Sequence, residues 1–568
     1  MYSVPHGSPS STYCQEPTLM RASWYLPRPC VQAQSLLRAS SAHRPPPPHL
    51  LPRSPSSSPG YLPAPSPLSR RHLLTLAIET SCDDTCVAVL EKLPSGAARL
   101  HFNEKVTSDN RDFRGVHPLT AVVSHTAHLA PLVRRALRSL PEAPPATASS
   151  TSRGEPCARG GGSGNGDGDG REREKEKILW VDGRPRARPD FVAVTRGPGM
   201  TSNLATGLNT AKGLAVAWDV PLLGVNHMQA HALTPRLVSA LEKGKGGAAA
   251  AVAEGGEGEE KEQGDRRRQY DPAFPFLSLL VSGGHTLLVR SESLTSHAVL
   301  AQALNIAVGD MMDKCARVIL PPEYLDDDRR PSSSSSSSSP PPTGDGLGNV
   351  MYGALLEEFV FPGPGPEYGY APPARRADEI RVFDSGRGWA LTPPLSGTTA
   401  MAYDFAGFNS QVQRAVEGRA GGGGAMGVEE RRLLGRHAMR LAFEHLVSRL
   451  LFALRDGGGK RSRNSSSSSD DDRGGGVADR AGMAGGDVRT VVVAGGVASN
   501  RYLMHILRAM LAARGYGHLT VVSPPAALCT DNAAMIAWTG IEMYEAGWRS
   551  ELDILPIRKW PLDSIEES

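Results

Sequence analysis

The octapeptide IETSCDDT, residues 78–85, separates two short runs of β-forming residues, 73–77 and 86–90. Two such runs around a polar turn predict a β-hairpin. Hydroxyl groups, carboxylates and backbone N–H groups gathered in one tight turn are suited to contact phosphate oxygens and to place a metal ion or a water. Ordinary hairpin turns are also rich in Ser, Asp and Thr, so the octapeptide alone fits a plain turn as well.

Two glycine turns later in the chain follow a similar plan. Residues 280–286, LVSGGHT, again lie between two short strands, and their paired glycines let a backbone approach a ligand closely. A plain glycine-containing hairpin fits this heptapeptide equally well. Residues 493–500, VAGGVASN, connect a strand at 490–494 to a helix at 502–513, so the N–H groups at that helix start could face an anion.

The periodicity elsewhere predicts a mixed α/β protein. Apolar residues at helical spacing predict helices, and short β-rich runs predict strands. The predicted helices are 116–140, 202–218 and 429–455, the last amphipathic with Leu, Ala and Phe on one face, and the predicted strands include 191–195 and 520–522.

A histidine pair suggests a metal site. His227 and His231, in the stretch VNHMQAH, are four residues apart and would share one face of a helix. Asp531 could supply a carboxylate that completes a two-histidine, one-carboxylate set with open positions. The plainer alternative is that the two histidines have this spacing by chance and bind no metal. A zinc peptidase is disfavoured, because Met228 stands where that motif carries its catalytic Glu.

Bulk composition excludes several classes. The net charge is only +3, so any nucleic-acid footprint must be local. The seven cysteines show no repeating spacing, which argues against a disulfide framework or a zinc ribbon. No apolar run approaches the roughly 20 residues that span a bilayer, so we expect a soluble protein without membrane insertion.

Several tracts are too polar or Gly-rich to pack. Residues 1–72 carry seven Arg and a single acid, Glu16, which predicts an organelle import signal or, more plainly, a disordered tail. Four internal tracts rich in Gly, Ser and charge are predicted to be solvated insertions between elements of one folded unit. These tracts are 141–176, 238–268, 327–348 and 456–487.

The motifs together resemble a known family. The two strand–turn–strand segments and the later strand–Gly-Gly–helix resemble the two-lobed actin-like ATPase fold of the Hsp70 and sugar-kinase superfamily, which leaves function open. Seven motifs in register resemble the tRNA N6-adenosine threonylcarbamoyltransferases, with the form of two of them closest to the mitochondrial branch. The motifs occupy residues 78–85, 197–199, 227–231, 281–286, 309–314, 495–501 and 529–532.

The resemblance implies a division of the chain and a set of site residues. Lobe I would span 73–225, lobe II 226–519, and residues 520–568 would return to lobe I. The implied metal ligands are His227, His231 and Asp531, and the implied catalytic acids are Asp83 and Asp84. The implied substrate-binding residues are Leu280, Val281, Ser282, Gly283, Gly284, Asp313, Gly353 and Asn500.

This sequence departs from the family pattern at two places. Asp84 stands where the bacterial enzymes usually carry Glu, which leaves open which of the two neighbouring acids matters more. A Pro- and Ser-rich tract follows Asp313 where the family has a Gly-Gly-Pro turn, and Gly353 is the best candidate for the continuation.

The implied activity is transfer of a threonylcarbamoyl group from threonylcarbamoyl-AMP to an adenosine in the tRNA anticodon loop, in the mitochondrial matrix. The resemblance further implies one divalent metal ion per subunit, either Fe, Zn or Mg, a separate synthase that supplies the adenylate, and a homodimer. The rival hypothesis is an ATP-driven clamp or chaperone of the actin-like superfamily, which would not explain the two-histidine, one-carboxylate set.

Overall fold

The computed structural model describes residues 72–110, 113, 115–143, 178–246, 270–325, 352–363, 368–420, 425–456 and 488–567. The import signal predicted within 1–72 lies, except for its last residue, outside the described residues. So do the greater parts of the four predicted insertions, namely 144–176, 247–268, 327–348 and 457–487.

Fifteen strands are present in the described residues. In chain order they are β1 (Leu73–Glu79), β2 (Asp84–Lys92), β3 (Ala98–Thr107), β4 (Ile178–Val181), β5 (Arg184–Ala187), β6 (Phe191–Gly197), β7 (Leu222–Asn226), β8 (Phe276–Val281), β9 (Thr286–Ser291), β10 (His297–Ala303), β11 (Phe383–Asp384), β12 (Ala390–Leu391), β13 (Ala402–Tyr403), β14 (Thr490–Ala494) and β15 (Thr520–Val522).

Helices connect and cover these strands. In chain order they are α1 (Pro118–Arg138), α2 (Thr201–Trp218), α3 (His227–Gly246), α4 (Val308–Ile319), α5 (Pro322–Leu325), α6 (Tyr352–Val360), α7 (Arg376–Glu379), α8 (Ala406–Ala420), α9 (Val428–Asp456), α10 (Arg501–Ala513), α11 (Ala526–Cys529) and α12 (Ala533–Glu545). Two 3-10 helices occupy Gly496–Ser499 and Leu562–Glu567.

The first sheet has the order β3-β2-β1-β6-β7. β1, β2 and β3 form an antiparallel meander, and β6 and β7 add in parallel beside β1. All seven residues of β1 are buried, because helices cover both faces of the sheet. α1 and α2 pack on the face that carries Leu74, Leu76 and Ile78, and α3 and α12 pack on the opposite face.

The second sheet repeats this plan. Its order is β13-β10-β9-β8-β14-β15, in which β8, β9 and β10 form the meander and β14 and β15 add in parallel beside β8. β13 extends the far edge. α4, α6, α8, α9 and α10 cover one face of this sheet. The mixed α/β class and the two strand–turn–strand segments predicted from the sequence are therefore confirmed.

α3 lies between the two sheets. Ala230 and Leu237 join the core beneath the first sheet, whereas Met228 and Leu233 join a core with strands β8 and β14 of the second. The prediction that a solvated tract begins at residue 238 is wrong, because α3 continues to Gly246 and Ala240 is fully buried. A helix packed on two surfaces needs apolar residues on two faces, which masks its periodicity.

Two further predictions need correction. The lobe boundary at residue 520 is wrong, because β15 pairs with β14 in the second sheet, and the chain returns to the first sheet only at α12. The long helix α9 is not amphipathic along its length. Every residue from 441 to 452 is buried, because helices and loops of the second lobe surround it. Among the described helices, none is both long and apolar enough to cross a membrane.

Candidate active site

The histidine pair lies where β7 ends and α3 begins, at the edge where the parallel strands β1, β6 and β7 also end. The Asn226 side-chain oxygen accepts hydrogen bonds from the backbone N–H groups of Met228 (2.9 Å) and Gln229 (3.2 Å) and so caps the helix. His227 is the first helical residue and His231 the fifth. Their ring centroids are 4.7 Å apart, and the two ring planes are nearly perpendicular.

Asp531 completes this group from the loop between α11 and α12. Its Oδ1 lies 3.1 Å from Nε2 of His231 and 3.6 Å from Nε2 of His227. The three candidate ligand atoms lie within 4.8 Å of one another. Ligand atoms bound at 2.0–2.2 Å to one metal ion are about 3 to 3.6 Å apart, and the distances from Asp531 Oδ1 to the two imidazoles, 3.6 and 3.1 Å, match that spacing. The structure brings together all three residues predicted from the sequence.

Glu79, which the sequence analysis did not single out, lies behind His227. Its Oε2 is 3.4 Å from Nδ1 of His227, and the Ser81 hydroxyl is 3.2 Å from the same nitrogen. The carboxylate is fully buried, and it accepts hydrogen bonds from the Thr195 hydroxyl and from the Ser81 backbone N–H. A carboxylate on the far nitrogen is what orients many metal-binding histidines. The sequence did carry one signal for Glu79, namely an acidic residue at the end of an otherwise largely apolar strand.

The charges around His227 favour a cation between the carboxylates. Burial alone would lower the pKa of His227, but Glu79 and Asp531 outweigh it and raise that pKa to about 9. Burial opposes ionisation of both acids, yet the same imidazole holds the pKa of Glu79 and of Asp531 below their usual values. The proton on His227 balances the charge of these two carboxylates. A bound divalent ion would supply that positive charge instead.

The structure distinguishes the two predicted catalytic acids. Asp84 begins β2 and is buried, with Lys105 Nζ at 2.7 Å and the Thr107 hydroxyl bonded to its other oxygen. Asp83 lies in the turn and is only half-buried. Burial, followed by the charge of Asp84, raises the pKa of Asp83 to about 6. Asp84 is thus engaged in holding β2 to β3, and Asp83 is the more exposed of the two acids.

Two buried side chains from the covering helices hold the acidic turn. His125 of α1 reaches the Cys82 carbonyl oxygen with Nε2 (3.0 Å) and the Thr85 hydroxyl with Nδ1 (2.7 Å). Asn203 of α2 donates to the same carbonyl at 2.5 Å. α2 can approach so closely because Gly207 faces the turn, where a Cβ would lie 2.4 Å from the Thr80 hydroxyl. The sequence analysis missed both residues.

The predicted adenylate-binding residues cluster at the ends of β8 and β14. The side chains of Leu280 and Val281 are buried in the core, so only their backbone could contact a substrate. Gly283 and Gly284 are exposed, and nothing lies within 4 Å of a Cβ built on either. Gly495 has a φ of +96°, and a Cβ there would lie 2.4 Å from the Val281 carbonyl oxygen. Glycine is therefore required where the turn after β14 lies against the end of β8.

The structure also places Asp313, Gly353 and Asn500. Asp313 Oδ1 accepts a hydrogen bond from the Gly353 backbone N–H at 2.9 Å. Gly353, the candidate for resuming the family's turn after the Pro- and Ser-rich tract, therefore lies beside Asp313. Asn500 caps α10 by accepting from Leu503 N (2.9 Å). Glu357 accepts from Tyr502 N (2.9 Å). These two N–H groups of α10 are thus occupied by side chains, contrary to the expectation that they face an anion.

Comparison with known proteins identifies the family. The chain matches the family model of tRNA N6-adenosine threonylcarbamoyltransferase over residues 185–259, 263–355 and 476–538. The mitochondrial tRNA N6-adenosine threonylcarbamoyltransferase of Schizosaccharomyces pombe is 30% identical over 88% of this chain and 89% of its own length. The chain belongs to the tRNA N6-adenosine threonylcarbamoyltransferase family.

Bacterial members of the tRNA N6-adenosine threonylcarbamoyltransferase family are similar over the same extent. Those of Paracoccus denitrificans and Rhodopseudomonas palustris are 27% and 26% identical over 86% and 87% of this chain. The alignments cover 94% and 95% of those two enzymes. The solved structure of YeaZ from Pseudomonas aeruginosa covers 40% of this chain and 66% of its own at 16% identity, with a TM-score of 0.18 that supports no conclusion.

Membership of this family makes the chain an enzyme of the transferase class, as the seven motifs predicted. The matched segments include every predicted metal-ligating and substrate-binding residue. They do not include the acidic turn at 78–85.

Proposed function

We propose that this protein transfers the threonylcarbamoyl group of threonylcarbamoyl-AMP to N6 of the adenosine immediately 3′ of the anticodon, in tRNAs that read codons beginning with A. The products are N6-threonylcarbamoyladenosine in the tRNA and free AMP. The observation that carries this proposal is the convergence of His227, His231 and Asp531 in a chain of this family. Similarity to the S. pombe mitochondrial enzyme and the cationic, acid-poor residues 1–72 support action in the mitochondrial matrix.

The fold proposed for this activity is the two-lobed actin-like one. Its support is the repeated strand order of the two sheets, each an antiparallel meander followed by two parallel strands. α3 lies between the sheets and begins at the metal-ligand pair. We assign the cleft between the two lobes as the place where the adenylate and the RNA meet.

The metal ion would be held by His227, His231 and Asp531, and Fe, Zn or Mg are the candidates. When bound, it supplies positive charge that polarises an oxygen of the donor or neutralises its phosphate. Glu79 would orient His227, whose Nδ1 faces the Glu79 carboxylate and whose Nε2, on the side of Asp531, would bind the ion.

The adenylate would lie over the turn at Ser282, Gly283 and Gly284. The exposed glycines let the donor reach the backbone there without a side chain in the way. Asp313, with Gly353 bonded to it, and Asn500 border the same edge of the second sheet and would contact the nucleoside. Because AMP is already a good leaving group, positioning supplies much of the rate, and no side-chain nucleophile is required.

Asp83 is proposed to accept the proton of the attacking amine. The adenosine N6 forms a bond to the carbamoyl carbon, and the bond from that carbon to the phosphate oxygen breaks with release of AMP. The proton lost from N6 passes to a carboxylate of Asp83. A pKa of about 6 leaves that carboxylate mostly ionised at neutral pH and still basic enough to take the proton.

Two partners belong to the proposal. A separate synthase would supply threonylcarbamoyl-AMP. A homodimer is supported by two exposed apolar side chains one turn apart on α1, Leu119 (69% exposed) and Val123 (67%).

The test of the proposed function is a reconstituted transfer reaction. Purified protein with bound metal, given threonylcarbamoyl-AMP and a tRNA transcript with adenosine 3′ of the anticodon, should release one AMP for each modified nucleoside seen by mass spectrometry. ATP should not be consumed, and a transcript with guanosine at that position should stay unmodified, because it lacks the N6 amine. Asp531→Asn should lose both metal and transfer while remaining folded.

The rival ATP-driven clamp predicts the opposite pattern. ATP hydrolysis that proceeds without tRNA, together with no modified nucleoside, would establish the clamp and rule out the transferase. Stoichiometric metal with full transfer in Asp531→Asn would leave the transferase standing and remove the metal assignment.

A further inference from the structure

The last segment of the chain, residues 549–567, which we call the C-terminal strap, runs along the first sheet towards the active site. Ser550 N donates to the Leu222 carbonyl oxygen at 2.9 Å at the start of β7. The chain then follows β6, where Arg196 Nε donates to the Leu555 carbonyl oxygen (3.1 Å) and Ile557 N donates to the Arg196 carbonyl oxygen (2.8 Å). The strap is thus fixed by backbone bonds to the strands that end at the metal site.

The strap next passes beside the acidic turn. Gly199 N donates to the Arg558 carbonyl oxygen (3.1 Å), and the adjacent Met200 N donates to the Ser81 carbonyl oxygen (2.9 Å). The Ser81 hydroxyl in turn contacts His227 at 3.2 Å. Three hydrogen bonds, by way of Gly199–Met200 and Ser81, therefore connect the Arg558 backbone with the proposed metal ligand His227.

Beyond this point the strap crosses to the second lobe. The Trp560 carbonyl oxygen accepts from the Asn226 side chain at 3.3 Å, directly before the histidine pair. Trp560, Leu562 and Ile565 are buried in the core shared with β8 and β14. The strap thus spans both lobes at the rim of the cleft, with its direction fixed on either side.

Two cations stand on this rim. The side chains of Arg558 and Lys559 are exposed, and among the described residues neither has a carboxylate within ion-pairing distance. The nearby Lys105 differs, because its ammonium is paired with Asp84 at 2.7 Å. The site itself holds four carboxylates, those of Glu79, Asp83, Asp84 and Asp531, against the charges of Lys105 and of His227 or a bound metal ion. Further cations beside such a site would favour the approach of a polyanion.

We infer that Arg558 and Lys559 form a phosphate-binding clamp for the RNA backbone that flanks the target adenosine. The inference rests on the proposed function and adds to it the face of the enzyme on which the RNA lies. An RNA phosphate fits because the two cations are adjacent, have no carboxylate partner among the described residues, and lie on a backbone that is hydrogen-bonded on both sides of them. The small net charge of the whole chain requires such a local footprint.

The experiment measures binding of a tRNA transcript to the full-length, metal-loaded protein by fluorescence anisotropy over a salt series. In the double variant Arg558→Gln/Lys559→Gln, the Kd should rise about tenfold at low salt, and the slope of log Kd against log salt should fall by roughly 0.7 for each phosphate that the protein no longer neutralises. Metal stoichiometry and the unfolding midpoint should stay at the parent values. The reversed pair Arg558→Lys/Lys559→Arg should bind as tightly as the parent.

A matched control uses two exposed arginines next to the small β11–β12 hairpin, Arg381→Gln/Arg387→Gln, which removes the same charge elsewhere. It should keep the parent Kd and salt slope. An unchanged Kd in the strap variant, or an equal weakening in the control, overturns the clamp. Loss of metal in the strap variant also overturns it, because the strap would then act on the site and not on RNA. Binding is measured without the donor, so failure of the transfer reaction itself would be seen separately.

Discussion

At the scale of single residues, the contact between Glu79 and His227 decides which imidazole nitrogen faces the metal. Glu79 is fully buried and is itself fixed by the Thr195 hydroxyl and Ser81 N. His231 has no such support, since its Nδ1 is buried without a hydrogen-bond partner among the described residues. The ion would therefore depend on one well-oriented imidazole and one less constrained imidazole, which makes Glu79 the more consequential outer residue.

We predict that Glu79→Gln weakens metal binding about 10- to 100-fold while the protein stays folded. Glutamine keeps the size of the side chain but removes the charge that favours the required tautomer of His227. Competition with a chromophoric chelator measures the affinity. The matched control is Glu91→Gln, another largely buried carboxylate of the same sheet, whose partners are His72 and His101 rather than the metal ligands. Equal metal affinities in both variants and the parent would contradict the assigned role of Glu79.

At the scale of elements, helix α9 is buried in the core that covers the second sheet. Leu446, Val447 and Leu450 are each fully buried, and Arg449 is buried among them with Nε bonded to the Ala402 carbonyl oxygen at 3.1 Å. We predict that Leu450→Ala lowers the free energy of unfolding by about 2 to 5 kcal/mol, because it leaves a cavity that its neighbours cannot fill. Glu429→Ala, on the exposed first turn, should cost at most about 1 kcal/mol. Urea denaturation of both variants provides the measurement, and similar losses of stability would show that α9 is peripheral.

At the scale of the whole molecule, the described fold begins with a central strand. β1 lies between β2 and β6, so residues before it are not needed to complete the first sheet, whereas residues within it are. We predict that a protein starting at His72 has the unfolding midpoint and metal content of the full chain, and that one starting at Ala77 does not fold. Circular dichroism and metal analysis test both. Terminal sequencing of the organellar protein should find a start near Leu73, and an intact Met1 there would contradict the import prediction.

Features that depend on neighbours in the sequence could be predicted from the sequence alone. The spacing of His227 and His231 places both on one helical face wherever the helix lies, and the polar or glycine turns between β-rich runs form whatever sheet receives them. The family could be recognised for the same reason, because each of its motifs is a short continuous stretch of sequence. Asp531, 300 positions from His231, could be proposed as a ligand by its chemistry, but no spacing in the sequence shows that it lies beside the two histidines.

Tertiary structure decided the rest, because burial and long-range contact leave no local period. α9 is surrounded by its own lobe, and α3 packs on both sheets, so neither shows the single apolar stripe of a surface helix. Asp83 and Asp84 are chemically identical in the sequence, and only Lys105 and Thr107, across the sheet from Asp84, separate their roles. The side chains that hold the site, Glu79 and His125, and the strap that borders it act through contacts that form only when distant segments fold together.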